Sequence, residues 1–366
     1  MLLAGLSTGV PVYYALAALA GALLVLCALS AILLRGSARV RVRAANTHIR
    51  RGESVALHIS LSHRCFLPTG AAVLLLDTPE GTDTLAADCP PGKTAERETS
   101  VVFPHRGVYR TGVTALEASD PFGLFRLRRN IGNALIAIEV TPRIRTEQAK
   151  DLGSGETGPE SRVRATEDNA SPSGLRTWRE GDELKKVHWK MSMRRRELIV
   201  RTYEEAARPD VLILPDCTPI RALASTRLSI EDAITGEAAS CACAYLQAGY
   251  PVRMPLSGTR PTECAGRTPE ELGAFLSALT TMVFDSGYAF ETSLAVEMRR
   301  MQRTGGAVII TSRLNARIAD IAMQMRRGGM HVELRWVSES RGTDGNGIAA
   351  RLALAGVEVK RVIPNE

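Results

Sequence analysis

The side chains best suited to chemistry crowd into one polar stretch. "GLRTWREGDELKKVHWKMSMRRRELIVRTYEE" runs from Gly174 to Glu205 and holds two of the chain's three tryptophans and one of its six histidines. Asp182 and His188 are the residue types of an acid–base pair, which would need a shared cleft and mutual reach. No Ser or Cys with a third orienting group accompanies them, so a nucleophilic triad is not supported. Lys185, Lys186, Lys190, Arg194, Arg195 and Arg196 could meet phosphates or an anionic surface. They come without an aromatic platform or a nucleic-acid module, so nucleic acid is not expected as a partner. Gly181 and Asp182 read as a helix start with Asp182 as the cap. Leu184, Val187, His188 and Met191 would then share one helical face. "ELIVRTYEE" reads as a strand.

A second constellation ends the apolar strand "DVLILPDCT". Asp216 and Thr218 stand two apart, where a hard divalent ion could bind. They resemble the first two positions of the metal-ion-dependent adhesion site of von Willebrand factor type A domains. The third position falls on Ile220, which cannot ligate, and the loop after "AVIIT" lacks the later acidic element. The expectation is the fold without a competent metal site, with Asp216 capping its own loop. Other matches fail on context. Gly153, Gly155 and Gly158 spell G-x-G-x-x-G inside a polar linker, without the flanking strand and helix. Gly5, Ser7 and Gly9 spell G-x-S-x-G ahead of an apolar run. His58, His63 and Cys65 lack a fourth ligand. No P-loop is present, and no cofactor is implied.

These groups need a scaffold, and the chain supplies four regions. Residues 1–36 form a candidate anchor: the first 34 residues carry no charge, and 24 of them, from Pro11 to Leu34, would span about 36 Å as a helix. That exceeds the ~30 Å hydrocarbon layer. Arg35, Arg39, Arg41 and Arg43 follow at once, which by the positive-inside rule leaves the body of the protein in the cytoplasm. Residues 37–150 read as short alternating strands ("SVALHISL", "AAVLLLD", "ETSVVF", "GVYRTGVTALEA", "NALIAIEVTP"), predicting an immunoglobulin-like β-sandwich. Residues 151–173 form a Gly/Ser/Pro linker. Residues 174–366 hold the polar stretch and then alternating strands and helices, predicting an α/β layer with a mostly parallel sheet. Thr268 with Glu271 is a capping box inside it. The fold expected is multidomain α and β: a transmembrane helix, a β-sandwich, then an α/β domain.

The composition agrees. Hydrophobic residues make up 45% and charged residues 23%, which excludes a disordered chain. The net charge of +7 is small for the length and says little about partners. The seven cysteines are scattered and odd in number, which argues against a disulfide framework and for a reducing compartment.

The polar stretch also carries a resemblance. Arg176, Trp178, Gly181, Asp182, Lys185, Val187, His188, Trp189, Lys190, Ser192, Met193, Arg194, Leu198, Val200 and Arg201 are similar to the signature of a bacterial family, domain of unknown function 58. Trp178 stands for Tyr, Lys185 for Arg and Met193 for Ala. "HRGVYRTG" and "DPFGLFR" upstream look like the same family. The resemblance implies a von Willebrand type A-like α/β domain and a membrane-bound adaptor without enzymatic activity. It implies a MoxR-type AAA+ ATPase as partner, with other von Willebrand type A or transglutaminase-like membrane proteins as possible neighbours. Membrane lipid would be met through the N-terminal helix. Arg176, Trp178, Gly181, Asp182, His188, Trp189, Lys190, Ser192 and Arg194 are then the expected binding surface, or an internal brace. The location implied is the inner membrane, single-pass. The alternatives are a hydrolase using Asp182 and His188, or a metal-dependent adhesion module at Asp216.

Overall fold

A computed structural model describes residues 11–88, 90–91, 93–152, 172–179, 187–203, 209–300, 304–338 and 345–364. The glycine triplet at 153–158, the Gly5–Ser7–Gly9 match, Gly181, Asp182, Lys185 and Lys186 lie outside the described residues. The fold is mixed α and β, with an N-terminal apolar helix and several sheets. It divides into two compact units, Met1–Thr141 and Pro142–Glu366.

In the first unit, helix α1 (Pro11–Ser37) is long and apolar enough to cross a membrane. Only its C-terminal part is buried, through Cys27, Ser30, Ala31 and Leu34. Nine strands follow. β1 (Arg39–Ala44), β3 (Ser54–Ser62) and β6 (Thr94–Val102) form one antiparallel sheet, ordered β1-β3-β6. β2 (His48–Arg50), β9 (Leu135–Thr141), β7 (Gly107–Ser119), β4 (Ala72–Thr78) and β5 (Gly81–Ala87) form another in that order, and β8 (Arg126–Asn130) pairs with β7. The alternation of "SVALHISL" explains how β3 serves a core. Val55, Leu57, Ile59 and Leu61 are buried, and they join Leu74, Leu76, Val113, Leu116, Ile138 and Val140 of the other sheet. The short strands β1, β2, β5 and β8 are too polar or too brief to stand out by periodicity. Gly112 is required where it sits: its φ is +145°, and a Cβ there would lie 2.1 Å from the carbonyl oxygen of Ala134.

The second unit is built on one six-stranded sheet in the order β14-β13-β12-β15-β16-β17. Its strands are β12 (Asp210–Pro215), β13 (Val252–Leu256), β14 (Thr262–Gly266), β15 (Thr304–Thr311), β16 (His331–Val337) and β17 (Glu358–Val362). All neighbours are parallel except the edge strand β14, which pairs antiparallel with β13. Sequence reading passed over β14, whose polar "TECAG" has no apolar alternation. The central strands are apolar on both faces because helices cover both. Val211, Ile213, Val308 and Ile310 face α3 (Ala224–Gln247) and α4 (Leu272–Thr281). Leu212, Leu214, Ala307 and Ile309 face α5 (Phe290–Arg300), α6 (Ala316–Arg327) and α7 (Asn346–Leu354). The Glu271 carboxylate accepts the backbone N–H of Thr268 at 3.0 Å, completing the capping box ahead of α4.

Residues 142–152 belong to this unit. The Arg145 N–H donates to Ser240 Oγ at 2.9 Å and the Leu152 N–H to the Tyr250 hydroxyl at 3.1 Å. Gly236 in α3 lets the segment pass, since a Cβ there would meet the Arg143 carbonyl at 3.2 Å. Glu147, on the same segment, enters a buried ion network centred on Arg335 of β16.

Candidate functional site

The polar stretch folds as a small clasp. β10 (Pro172–Thr177) pairs antiparallel with β11 (Ile199–Tyr203), with Arg176 opposite Val200 and Thr177 opposite Ile199. The Trp178 N–H donates to the Leu198 carbonyl at 2.7 Å, and the His188 N–H to the Ile199 carbonyl at 2.8 Å. Val187 bridges Val200. These pairings hold the backbone of Val187 and His188 outside the helix, so helix α2 spans Trp189–Arg195. The expected face of Leu184, Val187, His188 and Met191 on one helix is therefore corrected for the last three: Met191 lies within α2, whereas strand pairing claims the backbone of Val187 and His188, and Leu184 lies outside the described residues. Asp182, the expected cap, lies outside the described residues.

His188 takes the capping role. Its Nδ1 accepts the Met191 N–H at 3.3 Å, as a short polar N-cap side chain would. Ser192 is 6% exposed and clamps the return of the chain. Its hydroxyl accepts the Ile199 N–H at 2.9 Å and lies 3.1 Å from the His188 carbonyl. The helix ends at Arg196 in the left-handed region, φ 55°, where glycine is the usual residue. Val187, Ile199 and Val200 are buried beneath. Substituting Ser192 by alanine is expected to strand the buried Ile199 N–H and cost about 1–3 kcal/mol. The check is thermal unfolding of the detergent-solubilised chain by tryptophan emission.

Several other signature side chains among the described residues are exposed. Trp189 is 60% exposed and Met193 is 82% exposed, one helical turn apart on α2. Lys190, Arg194 and Arg195 are exposed around them. Arg176 is exposed and its Nη1 donates to the Thr177 carbonyl at 3.3 Å, while Trp178 and His188 are half-buried. Met193 and Arg195 were not among the binding residues expected from sequence. Their signal was present as the i, i+4 partner of Trp189 and the continuation of the basic run.

At the second constellation, Asp216 is buried and both its oxygens are engaged. Oδ1 accepts the Thr218 hydroxyl at 2.6 Å and the Thr218 N–H at 2.9 Å, and Oδ2 accepts the Thr311 hydroxyl at 2.7 Å. Thr311 ends β15 and was missed from sequence; its signal was a hydroxyl directly after the apolar run Ala307–Ile310. Among the described residues no group of three or more His, Cys, Asp or Glu converges as a metal site would require. His63 is buried with its Nδ1 accepting the Cys65 N–H at 3.1 Å, while His58 stands exposed beside Glu98. Nearby, a crevice of about 540 Å³ opens where the chain beyond β12 meets those beyond β15 and β16. Arg221, Arg313, Ser312 and Ser338 line it over Ile220 and Val337. Such a lining suits a carboxylate or phosphate beside an apolar group, but it offers no nucleophile–base pair.

Residues 174–336 match the family model "Protein of unknown function DUF58". Over these residues the chain is similar to that family. The matched region thus begins within β10 at Gly174, takes in β11 and α2 of the clasp, and ends in β16. Among curated proteins, none matches the chain. Of solved structures, the chain has a likeness to Cwp6 from Clostridium difficile at 10% identity and a TM-score of 0.21. That likeness covers 88% of this chain and 52% of that one, so the chain spans about half its length.

Proposed function

We propose that the chain is a non-enzymatic, membrane-anchored adaptor whose DUF58 clasp docks a MoxR-type AAA+ ATPase in assembly or envelope maintenance. The single observation that carries this reading is the division of labour within the signature. His188 Nδ1 and the Ser192 hydroxyl are spent on the backbone, while Trp189 and Met193 stand in solvent among Lys190, Arg194 and Arg195. A Trp beside arginines on a rigid helix is the composition of an interface hot spot. An acid–base site would instead turn its titratable groups into a cleft. The two packed sheets of the first unit suit an immunoglobulin-like sandwich. The second unit's doubly covered parallel sheet suits a von Willebrand type A-like domain with a structural rather than metal-bearing Asp216. α1 would be the single inner-membrane span, with the bulk of the chain cytoplasmic.

The test is affinity recovery of the tagged full chain from solubilised membranes. The wild type is expected to bring down an AAA+ ATPase. Trp189→Asp combined with Arg194→Glu should cut recovery at least tenfold, the loss of about 1.4 kcal/mol or more. Equal recovery by the variant, or no ATPase with the wild type, sinks the reading.

A further inference from the structure

The upstream motif "DPFGLFR" is left unused by the clasp, yet it builds a rigid turn with apolar side chains in solvent. The Asp120 carboxylate accepts the Phe122 N–H at 3.1 Å and the Phe125 N–H at 2.7 Å, and the Gly123 N–H donates to the Asp120 carbonyl at 3.0 Å. Gly70 backs the turn so closely that a Cβ there would fall 2.2 Å from the Asp120 carbonyl oxygen. So held, the turn presents Phe122, 66% exposed, and Leu124, 58% exposed. Phe66, 77% exposed, sits on the connection that reaches the same turn through Gly70. Arg126 and Arg128 stand exposed directly behind, on β8.

The position of α1 says what this apolar tip meets. The helix lies along β7 and β8 only over its C-terminal part. Cys27 lies beside the Asp120 carboxylate, and Arg129 Nη1, three residues along β8 from Arg126, donates to the carbonyls of Arg35 at 2.8 Å and Ala38 at 3.2 Å. The helix therefore runs from the turn toward Arg129 as its numbering rises, and residues 11–26, none of them buried, continue past the turn away from the sheet. Those 16 residues reach about 24 Å as helix, and the sequence before them is uncharged back to Met1.

We infer that the Asp120 turn is an interfacial wedge: Phe122 and Leu124 enter the headgroup boundary of the same bilayer that α1 crosses, with Arg126 and Arg128 at the anionic headgroups. The inference rests on the membrane-anchor reading above. It moves the end of the crossing segment from Leu34 to near Leu26, because Cys27, Ser30, Ala31 and Leu34 are buried on protein. Lipid suits the tip better than a protein groove because it is continuous with a lipid-facing helix and rimmed by arginines, the composition of interfacial anchors.

The experiment reconstitutes the full chain in phosphatidylcholine–phosphatidylglycerol vesicles carrying lipids brominated near the headgroup end of the acyl chains. Three single variants are compared with wild type by difference fluorescence: Phe122→Trp at the wedge, Leu19→Trp within α1, and Val108→Trp. Val108 is 58% exposed and lies 11 residues from Ser119 along β7, about 37 Å away at the strand rise. Phe122→Trp is expected to be blue-shifted and to lose roughly half its added emission, as suits a depth of about 5–10 Å. Leu19→Trp should also be quenched, and Val108→Trp should not. Quenching at Leu19 without quenching at Phe122 overturns the wedge while leaving the span intact. No quenching at Leu19 overturns the span and the wedge together. Equal quenching at Val108 and Phe122 overturns the proposed seating.

Discussion

Replacing Arg335 by methionine should lower the melting temperature of the second unit by roughly 6–20 °C, the equivalent of about 3–5 kcal/mol. The guanidinium is 5% exposed and meets three carboxylates: Glu147 at 2.6 Å, Glu237 at 2.6 Å and Glu333 at 2.9 Å. Lys360 also reaches Glu147 at 2.6 Å, and Arg145 reaches Glu237 at 3.3 Å. Removing the central cation leaves buried negative charge with too little compensation, which costs far more than the intact pairs contribute. Glu333 suffers most, since among the described residues its ion pair is with Arg335 alone. Adding Glu333→Gln to Arg335→Met should therefore restore part of the loss. All three tryptophans lie in the second unit, at 178, 189 and 336, so their emission reports this unit alone. A melting point within two or three degrees of wild type would show that the network is not holding the fold.

The network has a pH signature as well. Burial acts to raise the Glu147 pKa, but hydrogen bonds from Lys360 and Arg335 prevail and hold it below the ordinary carboxylate value. A lowered folded pKa means a stabilising contribution that is complete above the unfolded value, about 4.3, and lost as pH falls through the folded one. The gap in stability between wild type and Glu147→Gln should thus be full at neutral pH and close in acid.

Asp216→Ala should destabilise the second unit by about 3 kcal/mol, whether or not divalent metal is present. The substitution leaves two threonine hydroxyls and one N–H without their acceptor at a buried position. Thermal unfolding in chelator and in excess magnesium or manganese checks both parts. A bound ion at a hundredfold its Kd would add about 2.7 kcal/mol to the folded state. A wild-type shift of that size, abolished in Asp216→Ala, would replace the structural role with a metal site.

The two Asp216 readings show how far a sequence reaches at a strand end. The spacing of Asp216 and Thr218 was visible, and so was the failure of Ile220. The hydroxyl that occupies the second carboxylate oxygen was not, because Thr311 lies 95 residues away and arrives only when β15 pairs beside β12. The clasp repeats the lesson. A helix-like spacing from Leu184 to Met191 is a local signal, and pairing of Val187 and His188 with β11 overrode it at its C-terminal half.

What the sequence determined alone was whatever depends on neighbours along the chain. The apolar α1, the alternating strand β3, the doubly apolar strands β12 and β15, the Thr268 capping box and the signature itself are all of that kind, since helix and strand periodicity are local properties. Tertiary structure decided what depends on residues brought together from afar. It placed residues 142–152 with the second unit, made His188 a cap and Ser192 a clamp through pairing with β11, and brought Glu147 and Glu237 to Arg335, whose own strand carries Glu333. It also packed one side of the last turns of an apolar helix, through Cys27, Ser30, Ala31 and Leu34, against the sheet. Hydrophobicity tells that a side chain leaves water, and only packing tells what it meets instead.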